Sequence, residues 1–261
     1  MLEHNYRVYM SREIVRHYSQ LQQLQPAEQS ILELLHSEWV NMRMLDIGVG
    51  GGRTTQHFST VVQEYVGIDY SEEMIKACQR RFPSASQSRR FEVGDARDMK
   101  QFQDNSFDFI LFSFNGIDVI SHEDRLKVLQ EVKRIGKSGG YFLFSSHNLQ
   151  GLEREFAWQN KFSLNPLKTY VNLIMFVLLR FFNRSISLRQ IKHSDYEIVQ
   201  DESHNFRLKQ YYIRPQAQID QLKADFDNIR IYSWESGLEI TTQQELCVNA
   251  DMWLYYLCTI K

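Results

Sequence analysis

The sequence predicts an α/β protein with a doubly wound sheet. Two observations carry this. Short β-rich runs alternate with helical patterns through roughly the first 150 residues. Several of those runs are apolar on both faces, as strands of a parallel sheet covered by helices must be.

In chain order the runs are "MRMLDIG", "EYVGIDY", "RRFEVGD", "SFDFILFSF" and "GGYFLFSSHN". The segment "SEEMIKACQRRF" opens on Ser71 as N-cap, has two acids in its first turn, and sets Met74, Ile75 and Cys78 on one face. "SHEDRLKVLQEVKRIG" starts at Ser121, carries Leu126, Leu129, Val132 and Ile135 in step, and stops at Gly136. The alternation then breaks between Leu149 and about Tyr212. "NPLKTYVNLIMFVLLRFFNR" reads as a helix with Pro166 near its start and a mostly apolar surface. "YEIVQ" and "FRLKQYYI" flank "DESHN" as an antiparallel hairpin. Pro215 can start the next helix, and "IRIYSW" and "DMWLYYLCTI" read as the last strands. The expected division is therefore 1–148 for a ligand-binding core with N-terminal helices, 149–213 for a lid or substrate-recognition insertion, and 214–261 for the rest of the core sheet.

Composition narrows the function. With 43% hydrophobic and 24% charged residues the chain has an ordinary globular balance. A net charge of −2 gives no overall footprint of a nucleic-acid binder. Cys78, Cys247 and Cys258 are scattered, which argues against a disulfide framework or zinc site and fits a reducing cytoplasm. The start, "MLEHNYRVYMSREIVRHYSQ", is too polar for a signal peptide, and "LIMFVLL" is too short to span a bilayer. A soluble cytoplasmic protein is expected, with no metal.

The stretch "LDIGVGGGRTT" holds the chemistry. A dinucleotide fingerprint needs a small residue where Arg53 stands, and a P-loop needs a lysine that is absent. Asp46, just ahead of Gly48 and Gly50, would repel a pyrophosphate but suits a ligand bearing an ammonium group. Asp69 ends the second strand, where a carboxylate accepts both hydroxyls of a ribose. Asp95 ends the third, where it accepts from an adenine amino group while Ala96 offers a backbone donor. Each acid alone reads more often as a solvated loop residue or helix cap. Together they line one sheet edge, where open α/β folds bind ligands. An amine, a ribose and an adenine describe S-adenosylmethionine.

These segments, with "VGIDYSEEMI", "GDARDM", "FDFILFSFNGIDVI" and "RIGKSGGYFLFSS", make the chain resemble the class I S-adenosylmethionine-dependent methyltransferases, in their small-molecule branch, over Met44 to roughly Asn148. The resemblance implies a Rossmann-like seven-stranded sheet with its final strand antiparallel. It implies that Asp46, Gly48 and Gly50 lie by the methionine part, Asp69 by the ribose, and Asp95 and Ala96 by the adenine. Tyr70 and Phe114 join this cofactor set. "KSGG" replaces the usual "KPGG", a change in a turn.

A sulfonium already activates the methyl group, so the protein's task is alignment and exclusion of water, with a base for a hydroxyl acceptor. His147, ending the fifth strand, and His122, just past the fourth, are the candidate bases; His122 reads equally as a first-turn helix residue. Asn115, Tyr211 and Tyr212 are candidate acceptor contacts, although Asn-Gly is also a turn pair. His193 and His204 read as surface residues. The N-terminal helices would lie over the cofactor, with Tyr18 near its carboxylate end. Between Phe156 and Ser194 there is no acid but several bases, beside the most apolar helix. That segment reads as a lid packed on the body or on a second subunit, making a homodimer, or as a membrane-surface element suited to an apolar acceptor. The expected activity is methyl transfer to oxygen or nitrogen of a small molecule. The rival readings are an RNA methyltransferase, disfavoured by charge, and a non-catalytic cofactor-binding protein.

Overall fold

The computed structural model describes Asn5, Val8, residues 11–83 and residues 88–261, without the side chains of Arg12 and His204, so the reading of His204 lies outside the described residues. Ahead of the sheet lie α1 (Arg12–Gln20) and α2 (Pro26–Leu34). The alternating core follows as β1 (Arg43–Ile47), α3 (Thr55–Phe58), β2 (Glu64–Asp69), α4 (Glu72–Arg81), β3 (Arg89–Val93), β4 (Phe107–Phe112), α5 (His122–Ile135) and β5 (Gly136–Asn148). Residues 149–213 hold α6 (Leu149–Glu155), α7 (Pro166–Phe182), α8 (Leu188–His193), β6 (Tyr196–Val199) and β7 (Gln210–Ile213). The chain ends in α9 (Pro215–Leu222), β8 (Phe226–Ser233), β9 (Glu239–Ile240), α10 (Gln243–Val248) and β10 (Trp253–Ile260).

Among the described residues ten strands join one sheet; eight follow the order β3-β2-β1-β4-β5-β10-β8-β9, and β7 with β6 branches off at β5. The pairs among β1 to β5 are parallel, and β10 is antiparallel to both its neighbours. The expected seven-stranded core is thus present, and three strands extend it. β9 adds an edge. The β6–β7 hairpin forms as expected and docks on β5, with His147 opposite Tyr212 and Asn148 opposite Ile213 in parallel register.

Both sheet faces are buried, which is why the strands read apolar on both sides. Leu45, Ile47, Ile110 and Phe142 pack on one face, and Met44, Phe109, Leu111 and Leu143 on the other. The caps form as the sequence indicates: Ser71 accepts from the Met74 N–H at 3.4 Å and Ser121 from the Asp124 N–H at 3.2 Å. One face differs. Leu126 is 38% exposed, while Arg125, Val128, Leu129, Val132 and Ile135 form the buried side of α5. Leu129, Val132 and Ile135 are buried as expected, and Arg125 takes the inward place beside them.

Candidate functional site

A cavity of about 550 Å³ opens at the C-terminal ends of β1 to β4. Asp46, Gly48, Gly50, Asp69, Tyr70, Asp95, Ala96 and Phe114 all line it, and so does Tyr18 from α1. Parallel strands bring their carboxyl ends to one edge, so acids far apart in sequence meet there. Gly48 and Gly50 have φ of +67° and +55°, a left-handed backbone that favours glycine and lets the loop curl against the ligand space.

Each acid has its own setting. Asp69 accepts from the Gly50 N–H at 3.0 Å and the Ser71 N–H at 2.8 Å. Burial pushes its carboxyl up to about 6 despite those bonds. Asp46 is likewise raised to about 6 by burial, against hydrogen bonds from Thr54 and from Tyr65, whose hydroxyl lies 2.5 Å from Oδ2. One Asp46 oxygen is therefore committed to fixing the glycine loop. Asp95 is clasped by Arg97, whose Nη2 lies 2.6 Å away and whose Nη1 reaches Asp124 at 2.9 Å. Burial would raise Asp95, but the Arg97 contacts outweigh it and hold the carboxyl low. Arg97 is a cavity residue the sequence reading missed; its place two positions after Asp95 was the available signal.

Arg53, where a dinucleotide loop would have a small residue, turns inward. It forks onto Glu28 of α2, with contacts of 2.5 and 2.7 Å, and donates to Ser113 at 3.0 Å. Tyr255 adds a bond to Glu28 at 3.0 Å. Burial would raise the Glu28 carboxyl, but the Arg53 charge with bonds from Arg53, Ser113 and Gln25 holds it below its usual range. This buried pair pins α2 to the glycine loop. The Arg53 guanidinium also sits 5.1 Å over the Phe114 ring.

A family of methyltransferase domains matches residues 45–144. The uncharacterized methyltransferase YcgJ of Bacillus subtilis is 36% identical over 108 residues, so the chain spans only 40% of that relative's length, using 40% of its own. A demethylmenaquinone methyltransferase of Staphylococcus aureus is 28% identical over 200 residues, 76% of this chain and 73% of that one. A solved S-adenosylmethionine dependent methyltransferase from Mesorhizobium loti has the same fold, with a TM-score of 0.59 at 15% identity over 89% of this chain and 97% of that one. Residues 45–144 thus match a methyltransferase domain, and the fold is that of solved S-adenosylmethionine-dependent methyltransferases.

S-adenosylmethionine is the cofactor of these methyltransferases, and the cavity residues fit it. Two buried carboxylates with raised affinity for protons, Asp46 and Asp69, face a space large enough for a nucleoside with a short amino-acid arm.

Beside the cavity, the turn after β4 carries Phe114 and Asn115 at φ of 55° and 58°. A side-chain-bearing residue in that region is strained, and two in succession are held by their surroundings. Phe114 meets Tyr18 and Trp253 edge-on, with ring centroids 6.2 and 6.4 Å apart. The Asn115 N–H donates to Ser145 Oγ at 2.7 Å. Asn115 Nδ2 lies 3.2 Å from His147 Nε2, and its Oδ1 is buried with no partner among the described residues. His147 Nδ1 lies 2.9 Å from Asp118 Oδ2, which also accepts from the His147 N–H at 2.7 Å. Asp118 and Arg125, both fully buried, form an ion pair that Ser146 and Gln218 complete. Sequence reasoning missed Asp118 and Arg125; a charged residue at a buried helical position was the signal.

The other candidates form a separate group. His122 Nδ1 lies 2.7 Å from the Tyr211 hydroxyl, and its ring stacks on Tyr196 at 4.4 Å. Tyr212 donates to Asp201 at 2.6 Å and packs on His147 at 4.6 Å. His147, Asn115, His122, Tyr211 and Tyr212 are not among the residues that line the cavity, whereas Ser113, Phe114 and Gly116 are. His193 is exposed, as the sequence indicates. Among the described residues no cluster of His, Cys, Asp or Glu is placed to hold a metal ion, and no helix is long and apolar enough to cross a membrane.

Proposed function

We propose that this chain transfers a methyl group from S-adenosylmethionine to an oxygen or nitrogen of a small, apolar, hydroxylated metabolite. The observation that carries the reading is the convergence of Asp46, Asp69 and Asp95 with the glycine loop on one cavity. Asp69 would take the ribose hydroxyls, Asp95 and Ala96 the adenine edge, and Asp46 with Gly48 and Gly50 the methionine arm. The cofactor, when bound, supplies a methyl group already activated for displacement. Phe114, Tyr18 and the helices α1 and α2 keep water from that end of the cavity.

His147 is the proposed base. With Asp118 accepting at Nδ1, the neutral ring keeps its proton there and leaves Nε2 as the acceptor. Asn115 now occupies Nε2 and would exchange that contact for an acceptor hydroxyl. His122 and Tyr211 would shape the more distant wall, and Tyr212 would seat the His147 ring. A demethylmenaquinone methyltransferase among the relatives supports an apolar, ring-bearing acceptor.

Calorimetric titration with S-adenosylmethionine and S-adenosylhomocysteine, beside an Asp69→Ala variant, tests the reading. Binding that collapses in the variant supports it and opens an acceptor screen by mass spectrometry. Folded protein that binds neither compound overturns it.

A further inference from the structure

α7 is apolar on its outer side as well as its inner one. Its Leu167, Tyr170, Val171, Ile174, Val177 and Phe181 are all exposed, Leu167 by 69% and Val177 by 62%. At 100° per residue these six fall within one third of the helix circumference, so they make one continuous stripe. The side turned to the protein packs through Leu179, Met175 and Leu178, with Phe182 stacked on Phe206 at 4.9 Å, and is tied by Asn172 donating to the Lys161 carbonyl at 3.3 Å and Arg180 to the Ile186 carbonyl at 2.6 Å. Leu179 is the buried apolar residue of the helix. The apolar surface continues into the approach to α7, where Trp158 and Phe162 meet edge-on at 5.7 Å and Leu164 is fully exposed. A contiguous apolar face of this kind marks a surface that something covers.

Charge identifies what covers it. No Asp or Glu lies between Phe156 and Ser194. Lys168, Arg184, Arg189 and Lys192 are exposed around the stripe, and the Arg184 guanidinium rests 4.1 Å from the centre of the Phe181 ring. A second copy meeting this face about a twofold axis would set these cations against their own equivalents with no acid to answer them. Anionic headgroups over an apolar interior match both features, with Trp158 and Tyr170 suited to the boundary between them.

We propose that the outward stripe of α7, with the Trp158–Leu164 approach, docks the chain on the surface of an anionic lipid bilayer. At 17 residues α7 lies along that surface rather than crossing it. The docking goes beyond the methyl-transfer reading and does not require it.

The test is flotation of the full chain with vesicles of phosphatidylcholine, alone or mixed with phosphatidylglycerol, at about 0.1 M salt. The chain is expected to float with the mixed vesicles and about tenfold less with phosphatidylcholine. Leu167→Ser/Val177→Ser and Lys168→Glu/Arg184→Glu double variants are each expected to lose about tenfold in partitioning. Circular dichroism of both variants should match the parent, which separates lost docking from lost folding. Failure to float with either vesicle, or stripe variants that float as well as the parent, overturns the proposal. So does light scattering that shows a dimer which Leu167→Ser/Val177→Ser dissolves, since the face would then belong to a second copy. S-adenosylmethionine binding, measured separately, reports on the cofactor reading alone.

Discussion

Asp118 holds His147 at two points, accepting from its backbone N–H at 2.7 Å and facing its ring Nδ1 at 2.9 Å. The same carboxylate answers the buried Arg125, so one acid both orients a candidate base and neutralises a cation inside α5. Replacing either partner should therefore have separable effects.

His147→Gln should lower kcat by about a hundredfold or more, the usual contribution of a positioned base, with S-adenosylmethionine affinity unchanged. Asp118→Asn should reduce kcat as well and also destabilise the fold by about 3–5 kcal/mol, because Arg125 is left as an uncompensated buried charge. Steady-state kinetics and urea unfolding of the two variants check this. Full activity in His147→Gln would remove His147 from the chemistry.

Cofactor binding should weaken in mild acid. Asp69 and Asp46 are both pushed up to about 6, from an ordinary value of 3.8. A protonated Asp69 cannot accept two hydroxyls, so below about pH 6 affinity should fall about tenfold per pH unit for each acid whose ionised form the ligand needs. In the free protein the sign is opposite. A raised acid binds its proton more tightly when folded, so these two groups favour folding increasingly as pH drops from about 6 towards 4. Calorimetry between pH 5 and pH 8, in roughly unit steps, measures the first effect.

Glu28→Gln should cost about 3–5 kcal/mol of stability, since Arg53 would lose its buried partner. Glu28→Gln/Arg53→Met should recover part of that loss, because no unpaired charge then remains. Chemical denaturation of the parent, both single variants and the double variant gives the coupling.

Gly51→Ala should open the N-terminal cover. An added Cβ would come within 2.4 Å of Ser19 Cα and 2.6 Å of its backbone nitrogen, and backbone cannot yield as a side chain does. α1 must then lift, taking Tyr18 from the cavity. S-adenosylmethionine affinity should fall about tenfold, about 1.4 kcal/mol, and limited proteolysis should cut α1 sooner than in the parent. Unchanged protection of α1 would contradict the packing argument.

Legibility from sequence followed the range of the interactions. Asp46, Asp69 and Asp95 could be placed because each ends a strand, and parallel strands end at one edge. Ser71, Ser121 and Pro215 could be read because capping is settled within one turn. The Asp118–His147 contact bridges 29 residues and Glu28–Arg53 bridges 25, and no local pattern encodes such pairings. Leu126 misled because it lies at the margin of the buried face of α5, which takes in Arg125 instead. The short α10 was missed even though its capping box, Thr242 with Glu245, is visible in "TQQE".

The docking of β7 on β5 bears on how material enters and leaves. His147 and Asn148 share backbone rungs with Tyr212 and Ile213, so the hairpin shares the core sheet's ladder. A flap hinged there would have to tear sheet hydrogen bonds at every cycle. The N-terminal helices meet the glycine loop through side chains and close packing, with Glu28 and Arg53 as the latch. Of the two covers, the amino-terminal one can therefore move without breaking a rung of the sheet.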